Sequence, residues 1–340
     1  MKKRHMIWLS LAISLVILVY VILQMELAVF VDALKQVQPA WLIAALFSSA
    51  LGLFLRSARW NLVSGRPMAH ILHFWRSAAI GQLGNYIYPM RAGEILRMVS
   101  LYQFAKVPFG QAATSAVVDR VNDGFLLLVF LLVVLSIHSV DVIGVTAVVS
   151  VFTVFGLLTI AAFIFVVSGH RWTPLIMWMV GKLSPPWDDK LERAYQSALD
   201  VAVSFRSPKR LLGMVALNTL VVGGDVLMAT LLISAMGWDL PLEAALTAVV
   251  FLWAGSALPS APGFIGVYQI ACVLSFGLYG INDSQAVAYS VMLQLVSLVA
   301  AIIQGSWSAF SYGFSLRLKT AESEYEEHAQ DSSDGSKANT

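Results

Sequence analysis

Long stretches free of charge alternate along the chain with short basic ones. Residues 6–25 carry no charge over a length that spans a bilayer core, and Lys2, Lys3 and Arg4 precede them. A signal peptide has a shorter apolar core followed by a small-residue cleavage site, so this run reads as a retained first span. Further uncharged or nearly uncharged runs lie at 36–55, 117–140, 142–169, 211–237 and 286–316, giving six ordinary transmembrane helices. Two stretches do not fit that mould. Residues 77–90 are apolar but too short to cross alone, and 244–282 are too long for one crossing and are interrupted by Pro259, Pro262 and Gly263. Both read as broken segments that enter and return on the same side, either as two re-entrant half-helices or as a tight pair of full spans.

Composition agrees with an all-α integral membrane protein. The chain is 58% hydrophobic and 12% charged, about half the charge of ordinary soluble domains. A formal charge of +2 supplies no strongly basic surface, so no nucleic-acid partner is expected. The single cysteine, Cys272, sits in an apolar stretch and reads as a small packed hydrophobe.

Basic residues set the orientation. Three lie at the N-terminus, seven between 56 and 106, seven between 171 and 210 and three after 316, so 20 of the 22 fall on one side if both termini are cytoplasmic. The first broken segment then dips in from the inner side and the second from the outer side. Residues 36–140 and 211–316 become two halves of opposite orientation, the pattern of an inverted-repeat transporter with its substrate site at the breaks. This is a hydropathy argument, since the halves share no visible residue similarity. Residues 1–316 form the membrane domain on this reading. Residues 171–210 contain an amphipathic linker on the inner surface, and 317–340, with six acids, form a disordered cytoplasmic tail.

Ionisable side chains at bilayer depth are costly and mark functional candidates. Asn85, Pro89, Arg91, Gly93, Glu94 and Arg97 form one cluster, in which Glu94 is i,i+3 from both arginines and can bridge them on a helix. A helix starting after Pro89 would aim free N–H groups at the break, making an anion site. The bland alternative is a helix at the headgroup level with its arginines in water. Asp119, Arg120 and Asp123 form a second cluster, with ion pairing to Arg91 or Arg97 as one role and substrate contact as the other. Arg56 and Arg59 read either as lipid-phosphate contacts or as snorkelling anchors. In the second half, Pro259, Pro262, Gly263 and Gly266 free backbone groups that need a polar cavity. Asp225 in mid-span is expected either to be protonated or to pair with an arginine of the other half.

These residues carry a family resemblance. Arg56-x-x-Arg59-Trp60, Gly84-Asn85 leading to Pro89-x-Arg91-x-Gly93-Glu94-x-x-Arg97, Asp119-Arg120 with Asp123, and Pro259-x-x-Pro262-Gly263-x-x-Gly266 resemble the flippase-like transmembrane region of lysylphosphatidylglycerol synthases, over roughly residues 5–315. The resemblance implies translocation of charged phospholipids, or of dolichol-linked sugars as in archaeal relatives, and a multi-pass protein of the cytoplasmic (inner) membrane. Phe264 stands where the family has a second glycine and Gln269 where it has an acid, so a proton-coupling role is not carried over to Gln269. The synthases continue into a soluble aminoacyl-transferase domain, which the acidic tail does not resemble, so aminoacyl transfer is not expected.

His70-x-x-His73 lacks a third ligand and no P-loop is present, so no metal, no cofactor and no ATP hydrolysis are expected. Ser168-Gly169-His170 matches one motif of membrane lipid phosphatases without the other two. The leading expectation is a non-enzymatic transporter of an anionic phospholipid or polyprenyl-phosphate-linked lipid. Its substrate contacts are drawn from Arg56, Arg59, Asn85, Arg91, Glu94, Arg97, Asp119, Arg120, Asp123, Asp225 and Gln269. The alternatives are a membrane-embedded lipid transferase with Glu94 or Asp119 as general base, and a non-catalytic partner of a separate synthase. Self-association is a further partner question the sequence leaves open.

Overall fold

The computed structural model describes residues 27–88, 92–138, 207–256 and 261–313, with positions 153, 156, 157 and 161. The expected span at 6–25, nearly all of that at 142–169 and of the linker, the 317–340 tail, Ser168-Gly169-His170, and Pro89, Arg91 and Pro259 lie outside these residues.

The regular structure of the described residues is all helix, joined by short turns, with no strand among them. A short α1, Leu27–Lys35, leads into α2, Pro39–Val63, whose proline occupies the first turn, where its missing N–H costs nothing. After a 3₁₀ turn at Met68–His70 come α3, Ile71–Ile87, and α4, Gly93–Ala105, then the long α5, Phe109–Ile137. The second half opens with α6, Pro208–Ala235, and α7, Leu242–Ser256. A 3₁₀ turn at Pro262–Phe264 leads to α8, Val267–Gly277, and then α9, Asp283–Tyr312. The Asn282 side chain caps α9 by accepting from the Ser284 N–H at 2.8 Å, and left-handed Gly313 ends it. Among the described residues α2, α5, α6 and α9 are long and apolar enough to cross a membrane.

Two helix ends differ from the hydropathy reading. Helix α2 runs eight residues past 55, and α5 begins eight residues before 117. Charged residues read as span boundaries in sequence, yet here Arg56 and Arg59 sit within the continuous α2 because each pairs with an acid of another helix, Arg56 with Asp225 and Arg59 with Asp119 and Asp123. The first short segment likewise begins at Ile71 rather than 77, and α4 starts at Gly93, four residues after Pro89.

Each interrupted segment forms a hairpin of two short helices, α3 with α4 and α7 with α8. Glycine makes the first hairpin tight. A Cβ on Gly81 would lie 2.7 Å from the Gly93 carbonyl oxygen and from the Arg97 Cβ, and one on Gly84 would lie 2.6 Å from Leu96. The hairpins dock crosswise. The first packs on α9, with His73 Nδ1 2.7 Å from the Tyr312 hydroxyl, and the second packs on α5, with His138 Nε2 2.9 Å from the Tyr279 hydroxyl. Helices α2 and α6 share the most extensive contact between the halves. One apolar core, around Trp60, Phe74 and Leu101, belongs to the first half; a larger one, around Leu232, Phe276 and Tyr289, draws mainly on the second. Cys272 is fully buried in the latter, as a packed hydrophobe should be.

Candidate functional site

A cavity of about 680 Å³ lies between the halves. Its charged wall comes from α2, α4, α5 and α6 and includes Arg56, Glu94, Arg97, Arg120, Asp123 and Asp225. The rest of the lining is largely apolar and aromatic and includes Leu252, Phe264, Tyr268 and Leu293.

Arg59 is the anchor of the charged wall. Its side chain has no solvent exposure, and its fork reaches three groups on two helices. Nε donates to Asp119 Oδ1 at 2.9 Å, Nη2 to Asp123 Oδ1 at 2.5 Å and Nη1 to Asn218 Oδ1 at 3.3 Å. A planar guanidinium suits such a divided task; a lysine ammonium does not. Asn218 also exchanges reciprocal amide bonds with Asn122, at 2.9 and 3.0 Å, tying α5 to α6. Snorkelling is therefore the wrong reading for Arg59, which points into protein.

Arg97 is also nearly buried, 8% exposed, with its guanidinium 4.7 Å above the Trp60 ring. It pairs with Glu94 at 2.9 Å and more distantly with Asp119 at 3.8 Å. Glu94 does bridge two guanidiniums, as its spacing suggests, but the second one in the described residues is Arg120, at 3.5 Å. Arg120 also pairs with Asp123 at 2.9 Å and stays 42% exposed toward the cavity. It is the most exposed cation of this network, whereas Arg97 lines the cavity nearly buried and Arg59 holds the wall together from behind.

Asp225 pairs with Arg56, an arginine of the other half, as one of its two expected readings proposed. The Trp253 indole N–H donates to the same carboxylate oxygen at 3.1 Å. Arg56 lies over Gly52, one turn earlier, where a Cβ would come within 3.2 Å of Nη1. Asn85 also lines the cavity.

Gln269 does not line the cavity. Its Oε1 accepts from the Gly266 N–H at 2.7 Å and its Nε2 donates to Gln294, which donates in turn to the Gly263 carbonyl at 3.0 Å. The amide thus closes backbone groups freed at the break, where Gly263 and Gly266 adopt φ of 71° and 87°. Sequence reading missed Trp253 and Asn122. Trp253 stands in an apolar run with nothing but its indole N–H to signal a buried acceptor nearby.

A helical bundle with a charge-lined internal cavity and several apolar membrane-length helices is a multi-pass membrane protein. Residues 7–305 match the family described as the lysylphosphatidylglycerol synthase TM region, and the chain belongs to that family. It is similar to a "UPF0104 membrane protein" of Methanothermobacter thermautotrophicus, 22% identical over 286 residues that cover 78% of this chain and 83% of the relative. No solved structure matches it.

Proposed function

We propose that the protein is a flippase-like lipid transporter of the cytoplasmic membrane. The observation that carries this reading is a cavity whose lining is both charged and apolar. Arg56 and Arg120 offer guanidiniums to a phosphate, while Phe264, Tyr268 and Leu293 add apolar surface to the same cavity. An anionic headgroup binds on the arginine side with its acyl chains left toward lipid. Glu94, Asp123 and Asp225 hold the arginines in register.

The arrangement of elements supports an inverted repeat as the moving frame. Each half reads as long helix, hairpin, long helix, and each hairpin docks on the last long helix of the other half. Rocking of one half against the other exposes the cavity to each leaflet in turn. The transferase reading is weaker, because Glu94 and Asp119 each face two or more guanidiniums and a paired carboxylate is a poor general base.

The test is purified protein in liposomes, following leaflet exchange of fluorescent phosphatidylglycerol, a zwitterionic phospholipid and a polyprenyl phosphate, with Arg91→Ala and Arg120→Ala alongside. Accelerated exchange of an anionic lipid, lost in the variants, is the expected result. Chemical change in the lipid, seen by mass spectrometry, would instead establish a transferase. Absence of exchange by folded protein would remove the transport assignment.

A further inference from the structure

The ion pairs of the cavity wall divide into two kinds. Asp123 is held by Arg59 and Arg120, Glu94 by Arg97 and Arg120, and Asp119 by Arg59 with Arg97 and Arg120 further off. Each of these carboxylates keeps a cation when any one arginine turns away. Asp225 differs. Among the described residues its guanidinium partner is Arg56 alone, and its other donor is the neutral indole of Trp253. The side chains of Arg56 and Asp225 are 35% and 15% exposed, both line the cavity, and they come from opposite halves.

Charge balance adds a second constraint. The described cluster holds four arginines, 56, 59, 97 and 120, and four carboxylates, 94, 119, 123 and 225. A phosphate diester entering it brings a negative charge that nothing there offsets, in surroundings where uncompensated charge is costly. The groups around Asp225 limit where a compensating proton can go. From α2 it meets Arg56, with Arg59 committed to Asn218 on the same face of α6. From α7 it meets Trp253. On α9 the Tyr289 hydroxyl is occupied by the Ala229 carbonyl at 3.2 Å. Arg120 and Asp123 of α5 line the same cavity but are paired with each other.

Building on the lipid-transport reading, we propose that Arg56 and Asp225 form a proton-coupled exchange site for the headgroup phosphate. The phosphate takes the Arg56 guanidinium. Asp225, left with the Trp253 N–H as its donor, takes one proton from cavity water. When the headgroup leaves, Arg56 returns to Asp225 and the proton is released. Binding of one phosphate diester is thereby linked to binding of one proton, and the Arg56–Asp225 link between the two halves opens while the site is loaded, the bonds of Asn218 remaining.

Isothermal titration of the full-length protein in detergent with dihexanoyl phosphatidylglycerol, in two buffers of different ionisation heat, counts the protons taken up. The expected result is about one proton per lipid, with affinity falling about tenfold per pH unit over the range in which free Asp225 is ionised. Asp225→Glu retains the uptake. Asp225→Asn, which leaves Arg56 free, binds more tightly, takes up no proton and loses the pH dependence. Binding without proton uptake, or uptake that persists in Asp225→Asn, would overturn the exchange and leave the lipid site standing. Uptake with dimethyl phosphate but not with the lipid would retain the exchange and overturn the lipid reading. No binding of either ligand by folded protein would overturn both.

Discussion

Arg59 and Asp119 meet at 2.9 Å with both side chains closed to solvent, 0% and 2% exposed, and this pair joins α2 to α5 inside a membrane protein. Two ions are stable there because Asp123 and Asn218 complete the guanidinium's donors. Removing one partner leaves the others charged and buried. Arg59→Gln is expected to cost about 3–5 kcal/mol, read as a lowered midpoint of thermal unfolding in detergent. Arg59→Lys restores little of it, since one ammonium cannot span the three acceptors. Full recovery by lysine would show that charge alone matters at this position.

Phe264 holds φ of 60°, a region that suits glycine and strains a residue bearing a Cβ by roughly 1–2 kcal/mol. Its ring stacks on Tyr268 at 5.0 Å between centroids, an interaction that offsets part of the strain. Truncation to alanine removes the ring and keeps the strain; truncation to glycine removes both. Phe264→Gly should therefore be more stable than Phe264→Ala, by about 1 kcal/mol, reversing the usual order. Comparison of the two unfolding midpoints decides it, and an alanine variant at least as stable as the glycine one would rule out strain at this turn.

Close contact in the first hairpin depends on hydrogen at Gly93, where a Cβ would collide with the Gly81 carbonyl and the Asn85 side chain. Gly93→Ala is expected to lose at least 1–3 kcal/mol, or to fail to give monodisperse protein on size exclusion. Gly223→Ala serves as the control, because nothing lies within 4 Å of a Cβ there. Equal behaviour of the two would mean the helices separate at little cost.

The single cysteine is fully buried, so introduced cysteines can be labelled against a low background. Helix α2 is about 37 Å long, enough to put its ends on opposite faces. Lys35→Cys should react with an impermeant maleimide from outside the cell and Lys106→Cys only after the membrane is opened. Labelling of both from one side would refute the orientation inferred from the basic residues.

Much of this was legible in sequence, and most of the exceptions share a cause. Uncharged runs located α2, α5, α6 and α9, and Pro262 with Gly263 located the second break. The end of α2 was misplaced by eight residues because a charge looks like water contact unless its partner is known, and the start of α5 by eight because 109–116, though uncharged, holds the polar Gln111, Thr114 and Ser115. Arg56 and Arg59 finish α2 facing protein, and their partners lie 60 or more residues away. The bridging role of Glu94 was readable from i,i+3 spacing, but its second described partner, Arg120, comes from another helix. Gln269 looked like a member of the site by position in a motif, and local backbone geometry claimed its amide instead.

The glycine contacts at 81, 84 and 93 leave almost no side-chain layer between α3 and α4 along that seam. Two helices in backbone contact have no cushion in which to slide, so the first hairpin behaves as a single wedge. Its motion is confined to pivoting about its ends. Whatever enters the cavity feels Asn85 on one arm and Glu94 and Arg97 on the other as one rigid jaw.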